Sequence, residues 1–575
     1  MTNYRAEYER WLASPALPAA MREELSVIRG DEKEIEDRFY TPLSFGTAGL
    51  RGVMGAGLNR MNDFVVCQAT QGLAEVILAE GQDGAARGAV VCYDCRHNSA
   101  YYARLVAEVL AGNGIRVLLF DAMRPTPECS FAIRHYHTLA GVNITASHNP
   151  KEYNGYKVYW EDGAQIGPVQ ANAVEASIRR TDIFTGAKRA DYDAALADGR
   201  ITLLGKETDE EFLRRVLSMS VYPSEVAKCA DTLKIVYTPF HGTGYRLVPE
   251  ALSRLGFRHI LCEPRQSVPD GDFPTVKSPN PENKEGFADS IALARTEGSD
   301  LIIGTDPDAD RVGIIVRDSA GEYVTLSGAQ VGVLLLDYII AARREQGTMP
   351  EKACAVKSIV TSDMARAIAE ANGVRLAESF TGFRFIAGRI ADLAKEGYSC
   401  LLSFEESYGY LCGDHARDKD AVCASMLIAE MAAYWHNRGK TLYDAMQSAF
   451  ARYGNYAERT VSIVMAGADG FVRMQNLMKS LHASAPAEIG GLAVAATEDY
   501  LTGKILASDG KELGTTEVVG SDVLIFRLAC GARLAVRPSG TEPKMKFYVL
   551  AKAESAAAAD ALCERVATAA KTLAD

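Results

Sequence analysis

The sequence predicts an α/β protein: three tandem α/β domains with mixed, largely parallel sheets, then a C-terminal α+β domain. Three observations carry this prediction. Short apolar runs alternate with segments of helical spacing, the signature of strands paired in a sheet and covered by helices. That alternation restarts twice along the chain. After about residue 455 it gives way to strands of an antiparallel sheet and one Ala-rich helix. A chain of 575 residues has room for such an arrangement.

Residues 1–40 are charged and read as a helical extension. Pro42 and the glycine-rich run Phe45-Gly-Thr-Ala-Gly-Leu-Arg-Gly52 break the pattern. Domain 1 is expected over 41–205, with buried strands at Gly88–Tyr93, Ile115–Phe120 and Leu139–Ile144 and a helix over Tyr101–Asn113. Domain 2 is expected over 206–325, with strands Leu233–Tyr237, Ile260–Cys262, Leu301–Gly304 and Val312–Val316. Domain 3, 326–455, contains Ala353–Val356 and Cys400–Phe404. Domain 4, 456–575, contains Val461–Val464, Val523–Leu528, Leu534–Val536 and Met545–Leu550, then a helix over Ala553–Ala574. Polar stretches near 200–210 and 318–328 mark two of the boundaries.

The formal charge of −12 argues against a general nucleic-acid binder, which needs a basic face. It leaves room for a small anionic substrate in a locally positive cleft. The 12 cysteines are scattered. Cys92 and Cys95 form a CxxC, but no second pair or histidine cluster follows at a zinc-like spacing, so they read as reduced residues at a strand end. The N-terminus is interrupted by charge and resembles no targeting peptide. No uncharged apolar stretch reaches the ~18–20 residues of a membrane span. A cytoplasmic protein without a membrane partner is expected.

Four loops concentrate chemistry. Thr145-Ala-Ser-His-Asn-Pro150 follows a buried strand, and ligands bind at the carboxyl ends of strands in open α/β sheets. Alone, it also reads as a turn begun by Asn149-Pro150. Asp306-Pro-Asp-Ala-Asp-Arg311 also follows a strand and packs three carboxylates together, which is costly unless a hard cation neutralises them. An EF-hand is excluded, because Arg311 and Arg317 occupy its glycine and glutamate positions; magnesium fits. Phe404-Glu-Glu-Ser-Tyr-Gly409 offers carboxylates and a hydroxyl suited to sugar hydroxyls. Just beyond it, Gly413–Asp420 adds His415, Arg417 and Lys419. Val536-Arg-Pro-Ser-Gly-Thr-Glu-Pro-Lys544 brings cations, hydroxyls and accessible backbone N–H groups, a phosphate cradle that is not a Walker A loop.

These four motifs, in this order, resemble the α-D-phosphohexomutase superfamily. Further matching pieces are Phe45–Gly52, Tyr93-Asp-Cys-Arg96, Asn154-Gly-Tyr-Lys157 and Thr238-Pro-Phe-His-Gly242. The chain length, the N-terminal extension, Glu405-Glu-Ser-Tyr-Gly-Tyr410 and Thr381-Gly-Phe-Arg-Phe385 are most similar to the phosphoglucomutase/phosphopentomutase branch. The resemblance implies four domains around a central cleft, the fourth mobile. It also implies phosphoryl transfer through a phosphoserine at Ser147, with Mg2+ on Asp306, Asp308, Asp310 and a Ser147 phosphoryl oxygen. Lys157 becomes the general acid/base, with His148, Arg51 and Arg311 beside the transferring group. Glu405 and Ser407 would contact the sugar, and Arg537, Ser539, Gly540 and Thr541 the non-reacting phosphate; Arg384, His415 and Lys419 complete the substrate site. A cationic or buried setting is expected to lower the Lys157 pKa. Arg384 stands where relatives of this branch often carry lysine, which bears on the choice of sugar.

The implied activity is interconversion of a sugar 1-phosphate and 6-phosphate, glucose first, primed by glucose 1,6-bisphosphate. The alternatives are a phosphopentomutase, a phosphomannomutase, and, more remotely, a non-catalytic sugar-phosphate sensor or scaffold.

Overall fold

The computed structural model describes residues 3–465, 470–539 and 544–573. It falls into two compact units: residues 1–315 with 411–434, and residues 316–410 with 435–575.

The first unit opens with helices Tyr4–Ala13, Ala19–Val27 and Glu32–Phe39. Asn3 and Asp31 cap the first and third, each accepting a backbone N–H of the first turn, which offsets donors with no partner inside the helix. Trp11 and Tyr8 bury their rings edge-on against Phe39 at 5.7 Å, fixing the extension to the rest of the unit's core.

The first sheet contains β1 (Leu50–Val53), β2 (Ala89–Tyr93), β3 (Val117–Phe120), β4 (Ala140–Ile144), β5 (Tyr153–Trp160) and β6 (Ile201–Leu204), in the order β1-β5-β4-β2-β3-β6. β2 lies parallel to β3 and β4, and β3 parallel to β6, whereas β5 runs antiparallel to β4 and β1. The inner strands are apolar throughout because helices such as Asp63–Ala79 and Ser99–Gly112 cover the sheet. The second sheet in this unit contains β7 (Lys234–Thr238), β8 (His259–Cys262), β9 (Leu301–Thr305) and β10 (Val312–Arg317) in the order β8-β7-β9-β10, with β7 parallel to β8 and β9. β4 and β9 each run straight into a polar loop, at Thr145 and Asp306.

In the second unit, strand Ala353–Ser358 lies parallel between Arg375–Ser379 and Ser399–Glu405. The remainder is an antiparallel sheet: Asn455–Val464 pairs with Lys544–Ala553, then follow Arg533–Pro538, Leu524–Leu528 and Leu492–Asp499. Helix Ala556–Thr572 packs its Cys563 and Val566 into that sheet's core. The three largely parallel α/β sheets followed by an α+β segment agree with the fold class read from the sequence. Strands Tyr153–Trp160 and Arg375–Ser379 were not anticipated. Among the described residues no helix is long and apolar enough to cross a membrane.

Candidate active site

Ser147 lies at the end of β4, buried, with φ 51°, a left-handed conformation that costs a non-glycine residue energy and needs support. The support is Arg96. Its guanidinium donates to the carbonyl of Ser147 at 2.7 Å, of Pro150 at 2.8 Å and of Tyr153 at 3.1 Å, and also to Asn149. The Ser147 N–H donates to Thr145 Oγ1 at 2.8 Å. One planar fork thus pins four carbonyls of the loop.

The serine hydroxyl donates to Asp308 Oδ2 at 3.0 Å. Asp308 is buried beside Asp306 and Asp310, and their ligating atoms lie within 4.8 Å of one another. Asp306 Oδ1 accepts the N–H groups of Asp310 and Arg311 at 3.1 and 3.0 Å. Asp310 Oδ2 faces Lys157 at 3.3 Å and Lys419 at 3.2 Å. Each carboxylate keeps one oxygen with no hydrogen-bond donor: Asp306 Oδ2, Asp308 Oδ1 and Asp310 Oδ1. Three orphaned anionic oxygens in one buried place fit a hard divalent cation such as magnesium, because leaving them bare is strongly unfavourable. Burial and the neighbouring Asp308 and Asp310 push the Asp306 carboxyl well above its usual range. For Asp308 burial acts the same way, but Lys157 and the hydrogen bond from Thr126 outweigh it and hold the carboxyl below the usual range.

The metal loop has a second layer. Thr243 N–H donates to the carbonyl of Pro307 at 2.8 Å, and Gly242 leaves no space for a side chain there, since a Cβ would fall 2.4 Å from Pro307 Cα. Thr238–Gly242 therefore acts as a buttress for the carboxylate loop.

Lys157 comes from β5, where it pairs in register with Asn143 of β4. Its Nζ donates to Asp308 Oδ2 at 2.7 Å. The expectation of a lowered Lys157 pKa is corrected by this setting: burial lowers it, but Asp308 and Asp310 more than offset that, and it stands above its ordinary value. The neighbours are carboxylates rather than the arginines expected. Arg51 donates to Asn149 Oδ1 at 3.0 Å, and Arg311 pairs with Glu282 at 3.1 Å. Burial, with Arg311 and Arg51 nearby, keeps His148 well below its usual pKa, hence neutral. Lys419 also pairs with Asp418 at 2.9 Å, and Asp418 in turn accepts from Tyr159 and Gln165. His415 Nε2 lies 2.6 Å from Asp420 Oδ2 and faces that residue rather than the carboxylate trio. Thr126, Asp418, Glu282 and the buttress role of Gly242 escaped the sequence reading, and only Thr238–Gly242 left a signal there, as a matching motif.

In the second unit, Glu405 ends a strand with Oε1 accepting from Ser407 at 2.8 Å and Oε2 from the Gly382 N–H at 3.2 Å. Arg537 donates to Thr381 Oγ1. Arg384 stacks on Phe385 at 4.2 Å, and its buried Nη1 has no acceptor. Burial and then the charge of Arg537 lower the Arg384 pKa. Two guanidiniums that oppose each other's charge, one with an orphaned buried donor, suit an anion. Ser539 N–H donates to the Lys544 carbonyl at 2.8 Å. Gly540 and Thr541 lie outside the described residues.

Four consecutive family models match the chain: Phosphoglucomutase/phosphomannomutase, alpha/beta/alpha domain I over residues 42–183, domain II over 210–321, domain III over 327–453, and the C-terminal domain over 472–569. A phosphoglucomutase of Staphylococcus aureus (strain MRSA252) is 36% identical over 529 residues, 91% of this chain and 92% of that protein. Among solved structures, a phosphoglucomutase/phosphomannomutase family protein from Burkholderia thailandensis superposes with TM-score 0.66 at 17% identity, covering 92% of this chain and 97% of that one. The open form of the Paramecium phosphoglucomutase parafusin gives TM-score 0.66 at 17% identity over 92% and 96%. These structures share the fold, and the family models and the 36% identical relative show the family. The chain is a mutase of the phosphoglucomutase/phosphomannomutase family, within the α-D-phosphohexomutase superfamily.

Proposed function

We propose that this enzyme interconverts glucose 1-phosphate and glucose 6-phosphate in the cytoplasm, through a phosphoserine at Ser147 and a glucose 1,6-bisphosphate intermediate that also serves as primer. The observation that carries this reading is the Ser147 hydroxyl on Asp308 at 3.0 Å, beside three carboxylates each with one unpartnered oxygen. The 36% identical relatives named phosphoglucomutase favour glucose as the sugar. On this reading 41–205 is the phosphoserine domain, 206–325 the metal domain, 326–455 the sugar domain and 456–575 the phosphate domain.

Asp306, Asp308 and Asp310 hold the magnesium ion through their free oxygens, with an oxygen of phosphorylated Ser147 completing the set. When bound, magnesium supplies positive charge that offsets the charge building up on the transferring phosphoryl group and the serine oxygen. Arg96 keeps Ser147 in its left-handed conformation, so the nucleophilic oxygen projects from the loop. Arg51 and Arg311 stand ready to pair with phosphoryl oxygens, Arg311 by exchanging Glu282 for them. Lys157 moves the proton of the sugar hydroxyl at Nζ. Asp308 and Asp310 hold Lys157 charged, and as their charge is drawn elsewhere its grip on the proton weakens. His148, kept neutral, lends no charge to the site. Lys419 balances Asp310 from the opposite side. Glu405 and Ser407 hold sugar hydroxyls, while Arg537, Arg384, Ser539, Gly540 and Thr541 bind the non-reacting phosphate.

Intact mass is expected to show one phosphate on the purified enzyme and none on Ser147→Ala, which loses turnover while melting at the wild-type temperature. Normal turnover by Ser147→Ala sinks the relay. Comparing kcat/KM for glucose 1-phosphate, ribose 1-phosphate and mannose 1-phosphate, with magnesium and trace glucose 1,6-bisphosphate, decides the sugar.

A further inference from the structure

Asp308 must present one oxygen to a cation at every stage of a cycle in which its neighbours change. Oδ2 of Asp308 takes three donors: Ser147 Oγ at 3.0 Å, Lys157 Nζ at 2.7 Å and Thr126 Oγ1 at 2.8 Å. Its Oδ1 takes none. The three donors differ in permanence. A serine hydroxyl that becomes a phosphate ester has lost its hydrogen. Lys157 gives up a donor whenever it carries out proton transfer. Thr126 neither reacts nor titrates.

The Thr126 hydroxyl is itself aimed. Asn143 Nδ2 donates to Thr126 Oγ1 at 2.8 Å, so the hydroxyl hydrogen is left for Asp308. Thr126 also holds the loop by its backbone, donating its N–H to the Asp308 carbonyl at 2.8 Å. That N–H is available because Thr126 is the first residue of helix Thr126–His135, where backbone donors have no partner within the helix. Thr126, Asn143 and Asp308 are all fully buried, so water does not replace these contacts.

We propose that Thr126, aimed by Asn143, is a positioning residue that keeps Asp308 Oδ2 occupied and so turns Oδ1 toward the metal throughout the catalytic cycle. This rests on the magnesium site proposed above. Removing the hydroxyl frees the carboxylate to rotate, and the loss appears first in metal affinity. Outer-layer partners of ligating groups typically govern about 10–100-fold in affinity.

The test is calorimetric titration of the full-length enzyme with Mg2+, beside the Mg2+ concentration that gives half-maximal activity. Thr126→Val, close to isosteric, is expected to weaken Mg2+ binding about tenfold or more and to raise the Mg2+ requirement in parallel. Thr126→Ser is expected to restore both to within about twofold, since it keeps the donor. Asn143→Ala, which leaves the Thr126 hydroxyl in place but unaimed, is expected to weaken binding by a smaller factor and carries the test if Thr126→Val melts early. Asp308→Asn is the control. Wild-type Mg2+ affinity in Thr126→Val and Asn143→Ala, with weakened binding in Asp308→Asn, overturns the positioning role and leaves the site intact. Unchanged Mg2+ affinity in Asp308→Asn overturns the metal site and this inference with it.

Discussion

Arg96 donates to the carbonyl of Ser147 at 2.7 Å, and the same guanidinium holds three further carbonyls of the loop that follows. The left-handed backbone at Ser147 is thereby supported from β2's end of the sheet, 51 residues earlier in the chain. Arg96→Lys replaces a planar fork by a point donor and leaves at least two buried carbonyls unpaired, each costing about 1–3 kcal/mol. Turnover is expected to fall at least about tenfold, with less phosphate on Ser147 by intact mass and a lower melting temperature. Wild-type phosphate occupancy and melting would show that the fork is dispensable.

Gly242 makes a different kind of support. A methyl group there would meet Pro307 Cα at 2.4 Å and its carbonyl oxygen at 2.6 Å, which no side-chain adjustment relieves. Gly242→Ala must displace the loop that carries Asp306 and Asp308. The expected result is a raised Mg2+ requirement and a loss of about 1–3 kcal/mol of stability in denaturant titrations.

Lys157 spans Asp308 and Asp310 with one ammonium group. Lys157→Ala is expected to lower kcat by about 10²–10⁴, the range for loss of a general acid or base. KM for the sugar phosphate should change much less, as steady-state kinetics with saturating Mg2+ will show. A large KM change at constant kcat would instead make Lys157 a binding group.

Glu458 gives a pH-dependent stability. Burial pushes its carboxyl from 4.5 up to about 7, with Ser362 opposing and Asp363 adding to the shift. The folded state therefore binds a proton that the unfolded state releases between those two values. The associated stability is fully present below about pH 4.5 and is lost as pH rises through about 7. Glu458→Gln removes the penalty of a buried charge, so it should raise the melting temperature at pH 8 and leave it nearly unchanged at pH 4.5. Equal shifts at both pH values contradict the assignment.

Much of this protein was legible because its signals are local. Apolar runs such as Ala89–Tyr93 and Leu301–Thr305 read as buried strands at sight, and the polar loops beyond Ile144 and Thr305 follow from where those strands end. The second strand of the site was harder. Tyr153–Trp160 contains Asn154-Gly155, a turn signal, and a charged Lys157, and neither belongs to an ordinary buried strand. It is a strand because Lys157 finds two carboxylates and Gly155 lets the backbone approach Thr145. The Lys157 environment could not be read either, since whether cations or carboxylates surround an ammonium depends on chain segments 151 and 153 residues away.

By itself the sequence determined the succession of α/β units, the serine loop, the three-carboxylate loop and the cationic loop of the last segment. Each of these is written in residue type and spacing along a few neighbouring positions. Tertiary structure decided which oxygens stay free for a cation, that Thr126 and Lys157 share Asp308 with Ser147, and that Arg96 holds the serine loop. Those are donor–acceptor pairings between distant segments, and hydrogen bonds are short and directional, so only the folded backbone brings the partners within reach.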